Sequence, residues 1–248
     1  MQMQSVAQLV YPSQCLSCGD LVEDDFGLCS RCWRDTPFIS GLVCDKCGVP
    51  LMGAEEGGAG MSASPPTPLC DDCMNVRRPW SRGRAALLYE GNGRKLVLAL
   101  KNGDRQDLAP PAAGWMARAA QPLLSDNMLI APVPLHWMRL MKRRYNQAAL
   151  LGIELSRILQ RAICVDLLQR PRRTRKLDGL GVEERFAMIS GSIRVHPRRR
   201  HLLIGRSVLL IDDVMTSGAT FAAAAETCLA AGARDVSVLA LTRVAKSI

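Results

Sequence analysis

The chain has no apolar run approaching the ~18–20 uninterrupted residues that a membrane-crossing helix needs, so no such helix is expected. Its opening stretch, MQMQSVAQLVYPSQC, lacks a basic segment backed by a long apolar one. No signal peptide is expected, and the cytoplasm is the default compartment. Aromatic residues are few, yet nearly half of the 248 residues are apolar, so a real core is feasible and two domains can be accommodated. The formal charge of +9 treats every cysteine as neutral. Eight thiolates holding two zinc ions would bring it to about +5. A modestly basic surface suits an anionic substrate and nucleic acid equally, so charge does not choose between them.

What is abundant is paired cysteine. Eight of the ten cysteines form four Cys-x-x-Cys pairs: Cys15/Cys18, Cys29/Cys32, Cys44/Cys47 and Cys70/Cys73. Two thiolates at this spacing chelate a tetrahedral metal from a tight knuckle, and a second knuckle closes the site. In a cytoplasmic chain the pattern indicates zinc rather than disulfides. The competing explanation, a redox Cys-x-x-Cys, comes singly and beside a βαβ pattern. Gly19 and Gly48 follow the first pair of each half, as a knuckle turn requires. Two repeats result, residues 15–32 and 44–73. Sequential pairing predicts two zinc ribbons, and a cross-braced arrangement, first pair with third, is the alternative. Four thiolates leave no position for water, so both zinc sites are expected to be structural, in a segment too small to build its own core. Residues 53–68, GAEEGGAGMSASPPTP, are expected to loop out flexibly from the second ribbon.

Pro79 and Trp80 mark the expected boundary between a ribbon domain, residues 1–79, and a second domain, residues 80–248. An apolar run at 85–89 leads to a turn at 90–93. Residues 94–100 then reach Lys101, which is either a solvated element end or a positive charge aimed into a site. Residues 108–124 read as helix, with Pro110 and Pro111 tolerated near the start and Pro122 marking the end. MLIAPV, residues 128–133, reads as a strand. Beyond it lies a loop with His136, Arg139, Lys142, Arg143 and Arg144, closed by Tyr145, Asn146 and Gln147. A helix is expected over 148–160. Such a loop is either a place to hold pyrophosphate or a solvated helix start, although the helix dipole disfavours cations there. Residues 165–168 read as a short strand. A cationic, glycine-containing stretch, 170–181, reads as a mobile loop. Arg198, Arg199, Arg200 and His201 read as a solvated turn near the end of a hairpin. A last strand is expected at 236–242, followed by Arg243. Cys164 and Cys228 are expected to be buried thiols.

VLLIDDVMTSGAT, residues 208–220, carries the chemistry. A continuous aliphatic run reads as a buried parallel strand. Asp212 and Asp213 end it, with carboxylates able to face ligand hydroxyls or a magnesium ion. Thr216, Ser217, Gly218, Ala219 and Thr220 offer hydroxyls and unencumbered backbone N–H groups. An alanine-rich helix follows at 221–231, and a helix start favours phosphate. Sugar hydroxyls and a phosphate one loop apart describe a ribose 5-phosphate. An ordinary strand–turn–helix explains the strand and the helix but not tandem acids followed by that loop.

The stretch resembles the phosphoribosyl pyrophosphate (PRPP) motif of type I phosphoribosyltransferases. From about Cys15 to Arg243 the chain resembles the ComF/GntX family. The resemblance is carried by the four cysteine pairs, Lys101, APVPLH (131–136), RRYNQ (143–147), GLGVEER (179–185) and the PRPP motif. It implies a double zinc ribbon followed by an α/β domain, a type I phosphoribosyltransferase-like parallel sheet with flanking helices and a small hood. Asp212 and Asp213 match the family's ribose- and metal-facing acids. Thr216 to Thr220 match its 5′-phosphate loop, and Arg143, Asn146 and Gln147 match its loop after the strand. The family has Arg-Gly-Phe-Asn-Gln where this chain has RRYNQ, Gln where Leu177 stands, and Asn-Val where Met188 and Ile189 stand. Members are linked to competence, the handling of imported single-stranded DNA, and to gluconate-related gene neighbourhoods. No glutaminase domain with a catalytic N-terminal cysteine is present, so amidophosphoribosyltransferase activity is not expected.

Three functions follow as expectations. One is a phosphoribosyltransferase acting on magnesium-bound PRPP or a phosphoribosyl nucleotide, with Asp212, Asp213 and Arg143 at the reacting end. Ligand contacts would come from residues 216–220, Lys101, His136, Asn146 and Gln147. Another is an accessory factor binding single-stranded DNA or DNA-processing proteins. The third is a PRPP or nucleotide sensor without turnover.

Overall fold

The computed structural model describes residues 12–23, 27–52, 67–102, 105–136, 138, 140–141, 144–171 and 191–245. Residues 53–66 of the loop expected at 53–68 and residues 172–181 of the loop expected at 170–181 lie outside these residues, as do Leu177, Met188 and GLGVEER.

The ribbon portion contains two short helices, α1 (Ser30–Arg34) and α2 (Asp71–Asn75), each opening on a cysteine N-cap, Cys29 and Cys70. The repeat predicted from spacing is present in the backbone. Cys15 N–H bonds Asp20 O and Gly19 N–H bonds Cys15 O, while Cys44 N–H bonds Val49 O and Gly48 N–H bonds Cys44 O. Isolated antiparallel bridges, Gln14 with Leu21 and Val43 with Pro50, enclose the two turns.

Next come β1 (Arg82–Leu88), α3 (Gly91–Asn102), α4 (Ala109–Ala120), β2 (Met128–Pro132), α5 (Gln147–Leu159) and β3 (Ala162–Ile163). They are followed by β4 (Leu168–Gln169), β5 (Arg194–Val195), a 3-10 turn at Pro197–Leu202, β6 (Ser207–Met215), α6 (Ala219–Ala230) and β7 (Asp235–Arg243). Five strands form one sheet in the order β1-β7-β6-β2-β3, with every pairing parallel. β4 and β5 pair antiparallel as a small hood. A parallel flanked sheet, a hood and a preceding ribbon are the fold class expected from the sequence.

Both faces of the sheet are covered, which is why β6 is aliphatic over residues 208–211. Val208 and Leu210 pack with α6, the hood and the second knuckle, whereas Leu209 and Ile211 pack with α3, α4 and α5. The ribbon covers the otherwise free edge of β1. Ile39 N–H donates to Ala86 O, Leu88 N–H to Pro37 O and Gly83 N–H to Asp45 O. Two glycines permit this approach. A Cβ on Gly83 would lie 2.3 Å from Lys46 O, and one on Gly48, at φ +70°, would lie 2.8 Å from Ala85 N. Trp80, at the expected domain boundary, is buried, and its indole N–H donates to Lys46 O at 2.6 Å.

Two sequence expectations change. The turn at 90–93 is the first turn of α3, and the strand expected at 165–168 is replaced by β3 before it and β4 at its end.

Candidate functional site

The cysteines form two sets, Cys15, Cys18, Cys29 and Cys32, and Cys44, Cys47, Cys70 and Cys73, with the Sγ atoms of each set within 4.8 Å of one another. Pairing is therefore sequential, and the cross-braced alternative is excluded. Zn–S bonds of about 2.3 Å require tetrahedral edges of about 3.8 Å. Cys18 and Cys29 Sγ stand 3.7 Å apart, Cys47 and Cys70 Sγ 3.6 Å. The donor set and its dimensions fit zinc. Burial alone would raise the Cys15 thiol, but backbone N–H groups of Cys18, Cys29 and Ser17 draw it down to about 6. Hydrogen bonds from Cys47 and Cys73 hold Cys44 far below the ordinary thiol range.

The second site follows from topology. β6 and β2 are neighbours, but β6 continues through α6 to β7 whereas β2 continues through α5 to β3, so the connections leave in opposite directions. α6 and α5 cover opposite faces. In open α/β sheets the crevice outside the carboxyl ends at such a switch point takes ligands. Here it receives the end of β6, with Asp212 and Asp213, and the end of β2, leading to His136.

Asp213 is buried and paired with Lys101 Nζ at 3.2 Å, and its carbonyl accepts from Thr242 Oγ1 at 3.0 Å. Lys101 stands in the last turn of α3, so it is a charge aimed into the site and not a solvated end. Asp212 Oδ1 accepts from Asp213 N–H at 2.8 Å. Burial first, and the adjacent Asp213 charge second, push Asp212 up to about 8; its bond from Asp213 N–H, then Lys101 and Arg170, pull the other way.

The turn after β6 is built by Gly218, the N-cap of α6, at φ +81°. Thr216 is exposed, Ser217 and Thr220 half-buried, Gly218 and Ala219 buried. Ser217 Oγ accepts from Ala219 N–H at 3.4 Å. Two buried arginines grip the loop from behind. Arg243 Nη1 donates to Met215 O at 3.2 Å and to Thr216 O at 2.7 Å, and Arg78 Nη1 donates to Ser217 O at 2.6 Å. A trans peptide points its N–H opposite to its C=O. Three successive carbonyls drawn toward arginines therefore turn the N–H groups of Thr216, Ser217 and Gly218 the other way. N–H groups facing away from the arginines, ahead of a helix N-terminus, suit an anion.

Other predicted contacts are placed one layer back. Asn146 caps α5 through Ala148 N–H and donates to Val133 O at 3.1 Å. Gln147 is buried and donates to Lys101 O at 3.5 Å, while Tyr145 OH donates to Leu100 O at 2.6 Å. Together they fix the end of α3 that carries Lys101. His136 is buried, with Nδ1 accepting from Met138 N–H at 3.3 Å. Arg143 lies outside the described residues, as do Arg139 and Lys142. Arg144 has φ +66°, a left-handed conformation that favours glycine.

Sequence reasoning missed Arg78, Trp80 and Arg243 as parts of the site. Arg243 was recognisable as a charge ending a buried strand. Arg78 carried no signal, since its partner is 139 positions away.

Residues 6–74 match the double zinc ribbon domain family. DNA utilization protein YhgH of Shigella flexneri is 29% identical over 242 residues, 95% of this chain and 99% of that protein. Competence protein F of Haemophilus influenzae is 31% identical over 236 residues, 93% of this chain and 96% of that protein. Among solved structures, glutamine PRPP amidotransferase from B. subtilis is 14% identical at a TM-score of 0.39, over 58% of this chain and 30% of that one. That overlap is too loose to assign any residue. Likeness to competence protein F along nearly its whole length, with the ribbon in front, makes this chain a member of the ComF/GntX family.

Proposed function

We propose that the crevice outside β2 and β6 binds magnesium-PRPP, or a phosphoribosyl nucleotide, and transfers or cleaves the phosphoribosyl group. The observation that carries this is the coincidence of the switch point with an acid pair and an amide-lined turn. The ribose hydroxyls would lie on Asp212 and Asp213, and the 5′-phosphate on residues 216–220. The carboxylates are hard oxygen donors, which suit magnesium. Magnesium, when bound, would neutralise charge on the leaving pyrophosphate. A nucleophile would bond to ribose C1 as the C1–O bond breaks, and pyrophosphate would leave with the bonding electrons. Lys101 balances charge beside the acids, and Arg143 is proposed on the pyrophosphate side by resemblance. The test is calorimetric titration with magnesium-PRPP. Saturable binding is expected, and its abolition in Asp212→Asn/Asp213→Asn. Equal affinity in that variant would refute the site. Binding without pyrophosphate release, across a panel of bases and amines, would identify a sensor.

A second reading, a DNA-handling role, is favoured by the names of the two relatives and by the exposed turn bearing Arg198, Arg199, Arg200 and His201. Binding to single-stranded DNA would weaken steeply between low and moderate salt. No affinity at low salt would remove this reading.

A further inference from the structure

The second cysteine cluster and the turn after β6 are joined by two side chains. Arg78 stands five residues beyond Cys73 and is buried. Its guanidinium reaches Ser217 O at 2.6 Å. It lies 5.5 Å over the Trp80 ring. Trp80 in turn is clamped to the knuckle. Its indole N–H donates to Lys46 O at 2.6 Å, and its carbonyl accepts from Lys46 Nζ at 3.1 Å. Lys46 sits between Cys44 and Cys47, inside the chelating turn. On its other side Trp80 meets Phe221 of α6 edge-on, with ring centroids 6.3 Å apart. A Cβ on Gly218 would lie 3.0 Å from Trp80 and 3.2 Å from Arg78 Nη1, so the turn rests directly on both side chains. The first cluster makes a different contact. Ser17 Oγ and Cys32 O bond Asn92 at the start of α3.

We propose that the second zinc site positions the anion-binding turn, with Arg78 and Trp80 as the positioning residues, so that its metal occupancy controls the shape of the ligand site. The first zinc site does not share this role. Zinc fixes the Cys44–Cys47 knuckle and the Cys73 sulfur. Those fix Lys46 O and Arg78, and Arg78 holds the Ser217 carbonyl whose peptide presents the Gly218 N–H. Arg78 acts through the turn and need not touch the ligand. This extends the proposed PRPP site, but its structural half can be tested without any ligand.

The experiment compares the zinc-loaded full chain with Cys73→Ser, Cys18→Ser, Arg78→Gln and Arg78→Lys. Zinc content is measured per chain. Residue-resolved amide exchange is read at Ala222, bonded to Gly218 O, and at Val244, bonded to Met215 O. Cys73→Ser is expected to lose one zinc and to exchange at these amides at least about tenfold faster. Arg78→Gln should retain both zinc ions and give the same local acceleration, with Arg78→Lys intermediate. Cys18→Ser should lose one zinc and leave both amides within about twofold of wild type. Unchanged exchange in Arg78→Gln, or equal acceleration by Cys18→Ser, overturns the proposal even if Cys73→Ser fails to fold. A parallel magnesium-PRPP titration should weaken about tenfold in Arg78→Gln. If wild type binds no PRPP, the proposed ligand fails while the exchange data still decide the coupling.

Discussion

Lys101 Nζ and Asp213 Oδ1 lie 3.2 Å apart, joining the end of α3 to the end of β6 inside the crevice. Both side chains are largely out of water, so removing the cation leaves a poorly solvated carboxylate, an effect larger than the loss of an exposed pair. Lys101→Met is expected to lower stability by about 1–3 kcal/mol. The loss should be smaller in an Asp213→Asn background, with a coupling of about 0.5–3 kcal/mol. Urea denaturation of the four proteins measures it, and additive losses would show that the pair does not act as a unit.

Asp212 sets a pH dependence. Its folded carboxyl is raised to about 8 against an ordinary value of 3.8, first by burial and then by Asp213. The folded state therefore holds a proton that the unfolded chain releases. The stability tied to this proton is complete below about pH 4, falls as pH rises, and is gone above about pH 8. Asp212→Asn cannot ionise and escapes the loss. Its midpoint relative to wild type should climb steadily between pH 4 and 8 in thermal melts, then level off. A parallel pair of curves would show that Asp212 is not raised.

The parts of this protein that could be read from sequence are those whose signal is local. The cysteine pairs fix their own geometry locally, Cys15/Cys18 and Cys44/Cys47 in knuckle turns and Cys29/Cys32 and Cys70/Cys73 at helix starts. β6 announces itself by being aliphatic on both faces before Asp212. The start of α3 was not readable, because Glu90, Gly91, Asn92 and Gly93 have the composition of a turn. Its helical state is set from elsewhere. Asn92 bonds Cys32 O and Ser17, and a Cβ on Gly93 would lie 2.2 Å from Leu88 O, so the glycine serves close packing. Lys101 was ambiguous for the same reason, since its direction depends on Gln147 and Tyr145 holding the end of α3. The grip of Arg78 and Arg243 on the turn is likewise a property of assembled parts.

Arg144 offers a stabilising change. At φ +66° an L-residue carries a strain of about 1–2 kcal/mol that glycine avoids, while glycine's extra unfolded-state freedom offsets about 0.5–1 kcal/mol. Arg144→Gly is expected to raise stability by about 0.5–1 kcal/mol in chemical denaturation. A destabilised variant would mean that the arginine side chain makes contacts worth more than the strain.

The ribbon is expected to be required for a soluble sheet domain, although the sequence places an expected boundary at residues 79 and 80. β1 is an edge strand, and its outer backbone groups are bonded by residues 37–39 and 45. Removing the ribbon would bare that edge together with the buried face beneath the second knuckle, a combination that promotes association. A fragment of residues 80–248 should aggregate at concentrations where the full chain is monodisperse by light scattering. A monomeric fragment with a cooperative melt would establish the two parts as independent domains.

Gly218 ties ligand binding to the packing behind the turn. It sits at φ +81° with Trp80 and Arg78 packed where a Cβ would go. Alanine there meets about 1–2 kcal/mol of backbone strain and must displace one of those side chains, or itself move, by a few tenths of an ångström. The turn gives way more easily than a tryptophan wedged against Phe221 and bonded to Lys46 O. Gly218→Ala is therefore expected to lower stability by about 1–2 kcal/mol and to weaken magnesium-PRPP binding by more than about tenfold, because the amides of residues 216–218 lose their common direction. Gly114 provides the comparison. It lies within α4, and a Cβ there meets nothing within 4 Å. Gly114→Ala should raise stability by about 0.5–1 kcal/mol through helix propensity alone and leave binding unchanged. If Gly218→Ala binds as well as Gly114→Ala in the same titration, the 5′-phosphate does not sit on this turn.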